Sequence, residues 1–202
     1  MKAPDLEFWF EFGSTYSYLS AVRIEASASE VGVAVAWEPF LLGPIFSEQG
    51  WDDSPFNVYP AKGRYMWRDM ERLCSKHGIP FAKPSRFPRS GVAAARVACL
   101  ARATSEPWLP GFVRAVFRAN FAEDREIGDA AEVRAILDSL GLPGARIFER
   151  SEAPENRGRL REQTRRAAGL GIFGAPSFVA GGELFWGNDR LEGALQWATA
   201  GR

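Results

Sequence analysis

The chain has only two cysteines and one histidine in 202 residues, and each shortage removes a class of chemistry. Cys74 and Cys99 lie far from any paired or metal-ligand spacing, so neither a disulfide framework nor a metal site is expected. Both fall among apolar residues in helical patterns, where a free thiol is ordinarily buried. That usage suits a reducing compartment, and cytoplasmic localisation is the expectation. His77, the one histidine, falls at the end of a helical pattern, so a Ser-His-Asp hydrolase is poorly supported. Charge of one sign is missing too. Lys plus Arg and Asp plus Glu number 25 each, which predicts no general attraction to nucleic acid or acidic lipid. No apolar run is long enough to cross a membrane, and Met1-Lys-Ala-Pro-Asp5 leads into a strand pattern with no apolar leader.

What is present is a globular interior. Hydrophobic residues make up 46% of the chain, with 15 Phe and 7 Trp, enough for one well-cored domain with an insertion. Leu6, Phe8, Phe10 and Phe12 alternate with Glu7, Trp9 and Glu11, a period-two strand whose second face, carrying Trp9, is also expected to be covered. A helical pattern over residues 15–31 ends at Gly32, and residues 33–38 read as a second strand running into Pro39. This β-α-β opening implies parallel strands. Residues 40–61, rich in Gly, Pro, Ser and aromatics, read as a long ordered loop, a kind of segment that is often functional.

Helices are expected at 62–77, 91–104, 110–123, 129–140 and 155–168. The fourth opens on Asp129 with Glu132 three residues on, in capping-box spacing. The chain then returns to β structure. Residues 177–180 and 183–185 flank Gly181-Gly182 as a hairpin, and Asn188 or Asp189 caps a last helix. The expected fold class is α/β. A thioredoxin-like sheet is split between residues 1–45 and 169–202, and residues 46–168 form an inserted loop and all-helical domain.

Three segments carry chemistry. Phe8-Trp-Phe-Glu-Phe-Gly-Ser-Thr-Tyr-Ser-Tyr-Leu19 delivers Ser14 and Ser17 to the first turn of a helix, spaced like the sulfurs of a Cys-x-x-Cys pair. A helix N-terminus concentrates unpaired N–H groups and partial positive charge, so it favours an anion. Serines there cannot exchange disulfides, but a hydroxyl can donate to a thiolate supplied by a small molecule; the plainer reading of Ser14 is a helix cap. In Gly171-Ile-Phe-Gly-Ala-Pro-Ser177, Pro176 opens a strand and is a candidate for a cis bond that frees the Ala175 backbone to pair with an extended peptide. In Phe185-Trp-Gly-Asn-Asp-Arg-Leu191, backbone N–H groups at a helix start can meet a carboxylate, and Asp189 can hold an ammonium.

Together with Tyr59-Pro-Ala-Lys-Gly-Arg-Tyr-Met-Trp-Arg-Asp69 and Gly78-Ile-Pro-Phe81, these segments resemble the 2-hydroxychromene-2-carboxylate isomerases and the related kappa-class glutathione transferases, over nearly the whole chain. The resemblance implies that Ser14 binds and activates the thiol of glutathione, the cofactor. It implies that Ala175 pairs with the tripeptide beside Pro176, and that Trp186, Gly187, Asn188 and Asp189 hold its γ-glutamyl end. Asn57 and Lys62 fall near positions that contact glutathione or substrate. Phe46, Trp51, Phe56, Tyr59 and Trp67 are candidates for a flat acceptor pocket. A homodimer acting on a small-molecule substrate is implied as well. One departure is Thr15, where many members have Pro. The competing expectations are a kappa-like transferase or peroxidase, and a non-catalytic thioredoxin-fold module that binds a peptide beside Pro176.

Overall fold

The computed structural model describes residues 4–200. The elements run β1 (Leu6–Phe10), α1 (Thr15–Glu30), β2 (Val35–Pro39), α2 (Leu42–Glu48), α3 (Pro55–Val58) and α4 (Pro60–His77). Then come α5 (Val92–Ala103), α6 (Leu109–Phe121), α7 (Ala130–Ser139), α8 (Gly144–Ser151) and α9 (Pro154–Gly169). The chain closes with β3 (Ser177–Ala180), β4 (Glu183–Trp186), a 3-10 turn (Asn188–Arg190) and α10 (Leu191–Ala200). The sheet order is β2-β1-β3-β4. β1 pairs parallel with β2, and β3 runs antiparallel to both β1 and β4. Pro39 is tolerated because it sits at the end of an edge strand, opposite Phe10.

The alternation along β1 sorts its side chains between two cores. Phe8 and Phe10, with Phe12 just beyond, enter one continuous cluster that also contains Phe112 and Phe117 of α6 and Val133 of α7. The helical block therefore shares its interior with the sheet. On the other face Trp9 is fully buried against Phe40, Ile45, Ala167 and Ile172, so both faces of β1 are covered, as its sequence predicts. Glu38 of β2 is almost fully buried and clips the helices to this edge. Its carboxylate pairs with Arg102 of α5 and Arg166 of α9, and accepts from the Gln163 amide. These partners offset the cost of burying the charge.

The structure departs from the sequence reading in the middle. Residues 40–61 are not one loop, since they contain α2 and α3. Pro44 falls in the first turn of α2 and Pro55 at the start of α3, where the missing N–H costs nothing. Residues 144–151 form α8, an element the periodicity did not mark. Asp129 is the N-cap of α7, but its side chain makes no capping bond, and Glu132 pairs instead with Arg125 at 2.6 Å.

Candidate active site

Beyond β1 the chain turns through Glu11–Gly13 into α1. Gly13 is needed there: a Cβ would lie 3.0 Å from Glu11 Oε2 and 3.2 Å from the Arg89 carbonyl. Ser14 is the N-cap of the 16-residue α1. Its Oγ accepts from the Ser17 amide (3.2 Å) and donates to the Ala175 carbonyl (2.9 Å), tying the start of the chain to the segment before β3. The Ala175–Pro176 peptide bond is cis.

At the far end of the hairpin, Gly187 adopts φ 110°, a conformation open to glycine, and its N–H donates to the Pro176 carbonyl (3.0 Å). Asn188 follows and is buried. Its Oδ1 accepts from Ser20 Oγ and from Arg23, each at 3.1 Å, which fixes the 3-10 turn to α1. Three distant stretches of sequence thus converge on the N-terminus of one helix.

They open onto a cavity of about 1400 Å³. Ser14, Ala175 and Pro176 line it, as do Trp186, Gly187, Asn188 and Asp189, together with Lys62. Asn57 does not line it. Its amide donates to the Asp53 carboxylate (3.0 Å) and the Phe87 carbonyl (3.3 Å). Of the five candidate aromatics, Phe46, Trp51 and Phe56 line the cavity. Trp67 packs instead against Phe87, 4.8 Å between ring centroids, and Tyr59 is exposed with Lys62 Nζ 4.8 Å from its ring centroid. The aromatic wall is completed by Tyr65, Phe87 and Phe173, the last packed 4.8 Å from Trp186.

The structure adds wall residues that sequence reasoning missed. Tyr16 donates to Asp69 at 2.9 Å, joining the first turn of α1 to α4; burial and this bond together hold the Tyr16 hydroxyl above its usual range. Asp69 stood inside a quoted motif without a role. Glu11 also lines the cavity. Its Oε2 accepts from the Gly13 amide at 2.9 Å, and burial, only partly opposed by that bond, raises its carboxyl to about 7. The alternation places Glu11 on the Trp9 face, which the sequence predicts to be covered, and nothing in that pattern gives the carboxylate a role. Cys74 and Cys99 are free and buried away from the cavity, and burial lifts each thiol to about 11.

Chemically, the wall suits a zwitterionic peptide thiol. It offers a hydroxyl at a helix N-terminus for sulfur, the Ala175 backbone in the bend just before β3, and the exposed Asp189 carboxylate for an ammonium group. The volume exceeds the roughly 300–1,000 Å³ of a pocket for one small ligand, leaving room for a second, apolar molecule.

A family model described as the DSBA-like thioredoxin domain matches residues 5–196. The chain is 28% identical over 188 residues to a 2-hydroxychromene-2-carboxylate isomerase of Sphingobium xenophagum, covering 93% of this chain and 94% of that one. It is 23% identical to a glutathione S-transferase kappa 1 of Caenorhabditis elegans, covering 94% and 88%. Among solved structures, a 2-hydroxychromene-2-carboxylate isomerase superposes with TM-score 0.81 at 24% identity, covering 92% of this chain and 90% of that one.

Proposed function

The chain belongs to the DSBA-like thioredoxin domain family, and from that premise we propose that it is a glutathione-dependent isomerase of 2-hydroxychromene-2-carboxylate-type aromatic acids. The observation that carries this reading is the placement of the Ser14 hydroxyl, at the N-terminus of α1 and within 2.9 Å of the Ala175 carbonyl, on the wall of an aromatic-lined cavity. The isomerases among its relatives support the reaction type. Dithiol exchange is absent from the proposal because Ser14-Thr15-Tyr16-Ser17 contains no sulfur.

Bound glutathione would supply a thiolate able to add reversibly to a conjugated carbon, leaving no net redox change. Ser14 would turn its one hydroxyl proton from the Ala175 carbonyl to that sulfur, and the α1 dipole favours the negative charge there. Ala175 offers its backbone to the peptide, and the segment Trp186–Asp189 holds the γ-glutamyl end, with Asp189 facing the ammonium. Asn188, bonded to Ser20 and Arg23, keeps that segment in register with α1. Lys62 lies on the cavity wall, where its charge suits the carboxylate of an aromatic acid. Phe46, Trp51 and Phe56 pack the planar part and exclude water. Asn57, whose amide is committed to Asp53 and Phe87, would have to exchange those bonds to reach a substrate. The protein acts as a homodimer in the cytoplasm.

A second reading is a kappa-like transferase, supported by relatives of that name at 22–24% identity. One assay separates the two. With a cis-trans isomerisable aromatic keto acid as substrate, the isomerase reading expects turnover at constant total glutathione, reduced at least tenfold in Ser14→Ala, the weight of one hydrogen bond to a charged atom. Stoichiometric loss of glutathione makes the protein a transferase. Turnover without glutathione, or undiminished in Ser14→Ala, refutes the proposal.

A further inference from the structure

The turn before α1 contains a second functional group besides Ser14. Ser14 can donate to a thiolate, but a serine hydroxyl does not take up a thiol's proton at neutral pH, so formation of thiolate in this cavity requires a destination for that proton. Solvent is one. The structure offers another.

The Glu11 carboxyl lines the cavity from the strand side of the same turn: the Ser14 amide donates to the Glu11 backbone carbonyl at 3.0 Å, and the Gly13 amide donates to Glu11 Oε2 at 2.9 Å. Its slot exists because two flanking residues are glycines. A Cβ on Gly13 would stand 3.0 Å from Oε2, and one on Gly91 would stand 2.9 Å from Oε1 and 2.9 Å from Phe12 Cβ. One carboxyl oxygen is thereby anchored, while the other accepts no hydrogen bond among the described residues. An ion-paired structural carboxylate would be arranged differently. Glu38, on the next strand, shows the contrast with its two arginines and an amide.

We propose that Glu11 is the proton acceptor of this site, taking the thiol proton as a glutathione thiolate forms beside Ser14 and returning it when the thiol re-forms. The inference rests on the glutathione reading above. In the forward step the S–H bond breaks and an O–H bond forms on the carboxylate; the electron pair stays on sulfur and nothing is oxidised. Release reverses both.

The energetics favour the transfer. A thiol at a helix N-terminus falls from about 8.5 to roughly 7, and burial has raised the Glu11 carboxyl from 4.5 to about 7. Raising the acceptor this far improves the transfer equilibrium by a few hundredfold over an ordinary carboxylate. The charged groups on the surrounding elements are otherwise engaged or exposed. The Arg89 guanidinium, after Pro88, is committed to Asn120, Asp124 and Glu126. From α4, Asp69 holds Tyr16 and Lys62 lies over Tyr59. Asp52 and Asp53 ahead of α3 are exposed, and Asp189 is exposed beside Arg190. On β1 itself, Glu7 pairs with Arg166.

The test is proton counting during binding of glutathione alone. At about pH 8, above the Glu11 value and below that of free glutathione, thiolate absorbance gives the thiolate formed and calorimetry in buffers of different ionisation enthalpy gives the protons released. The expected wild-type result is thiolate formation with clearly less than one proton released for each thiolate, because the new sulfur charge beside Glu11 strengthens its hold on the proton, and a wild-type thiolate signal that fades as the pH falls through about 7. Glu11→Gln should release about one proton for each thiolate formed, or form several-fold less thiolate. One proton released per thiolate in wild type overturns the role of Glu11 and leaves the glutathione reading standing. Absence of any thiolate in wild type overturns both. The wild-type stoichiometry decides the matter even where the variant folds poorly.

Discussion

Replacing Glu11 by Gln should make the protein more stable at alkaline pH and leave it unchanged in acid. Burial raises the folded-state carboxyl from 4.5 to about 7, so the native state binds this proton more tightly than the unfolded chain does. As pH rises from about 4.5, the unfolded chain ionises first and stability falls; above about 7 both states are ionised and the full cost remains. At about 1.4 kcal/mol per unit, the cost reaches about 3.5 kcal/mol. Contact with the cavity makes that an upper bound. Gln removes the charge, retains a carbonyl for the Gly13 N–H (2.9 Å) and fills the same slot. Every other titrating group is common to both proteins and cancels in the difference. Urea unfolding at about pH 8 should therefore favour Glu11→Gln by about 1–3 kcal/mol, and the two curves should converge near pH 4.5. Equal stability at both pH values, or a less stable variant at about pH 8, would refute the argument that this carboxyl is held in a desolvated slot.

Other substitutions probe the frame around the cavity. Glu38→Ala leaves Arg102, Arg166 and Gln163 without their shared partner and should cost about 3 kcal/mol in chemical denaturation, the price of breaking a buried ion pair. Tyr16→Phe deletes the bond to Asp69 (2.9 Å). A double-mutant cycle with Asp69→Asn should return a coupling of about 1 kcal/mol, and a coupling near zero would mean that α1 and α4 are not joined there. With thiols raised to about 11 by burial, Cys74 and Cys99 should resist a disulfide reagent in the native protein and react promptly in denaturant. Fast native labelling would contradict their burial.

How much of this was legible depends on whether the cause is local. β1 and the β3–β4 hairpin were readable because period-two alternation and Gly181-Gly182 state their own geometry. The extent of α4 was readable from its Met66, Met70, Cys74 stripe and from Gly78 in the left-handed conformation at its end. α2 and α3 were not, because Gly43, Pro44 and Pro55 have the composition of a loop, and only their positions in a helix's first turn make them compatible with it. At the site, Ser14 could be singled out because a cap after a strand is a local pattern. Glu11 could not, since its slot is made by Gly91, some eighty residues away in the chain. Asn57 illustrates the converse: its placement near the pocket came only from the family resemblance, while its hydrogen bonds to Asp53 and Phe87 depend on how the segment before α4 folds.

The central claim is that Ser14 stabilises a glutathione thiolate, and ultraviolet thiolate absorbance during a glutathione titration at about neutral pH tests it most directly, with wild type beside Ser14→Ala. The account predicts a saturable signal in wild type that falls about tenfold or more in the variant. A wild-type protein that shows no thiolate, or a variant that forms as much as wild type, would contradict it.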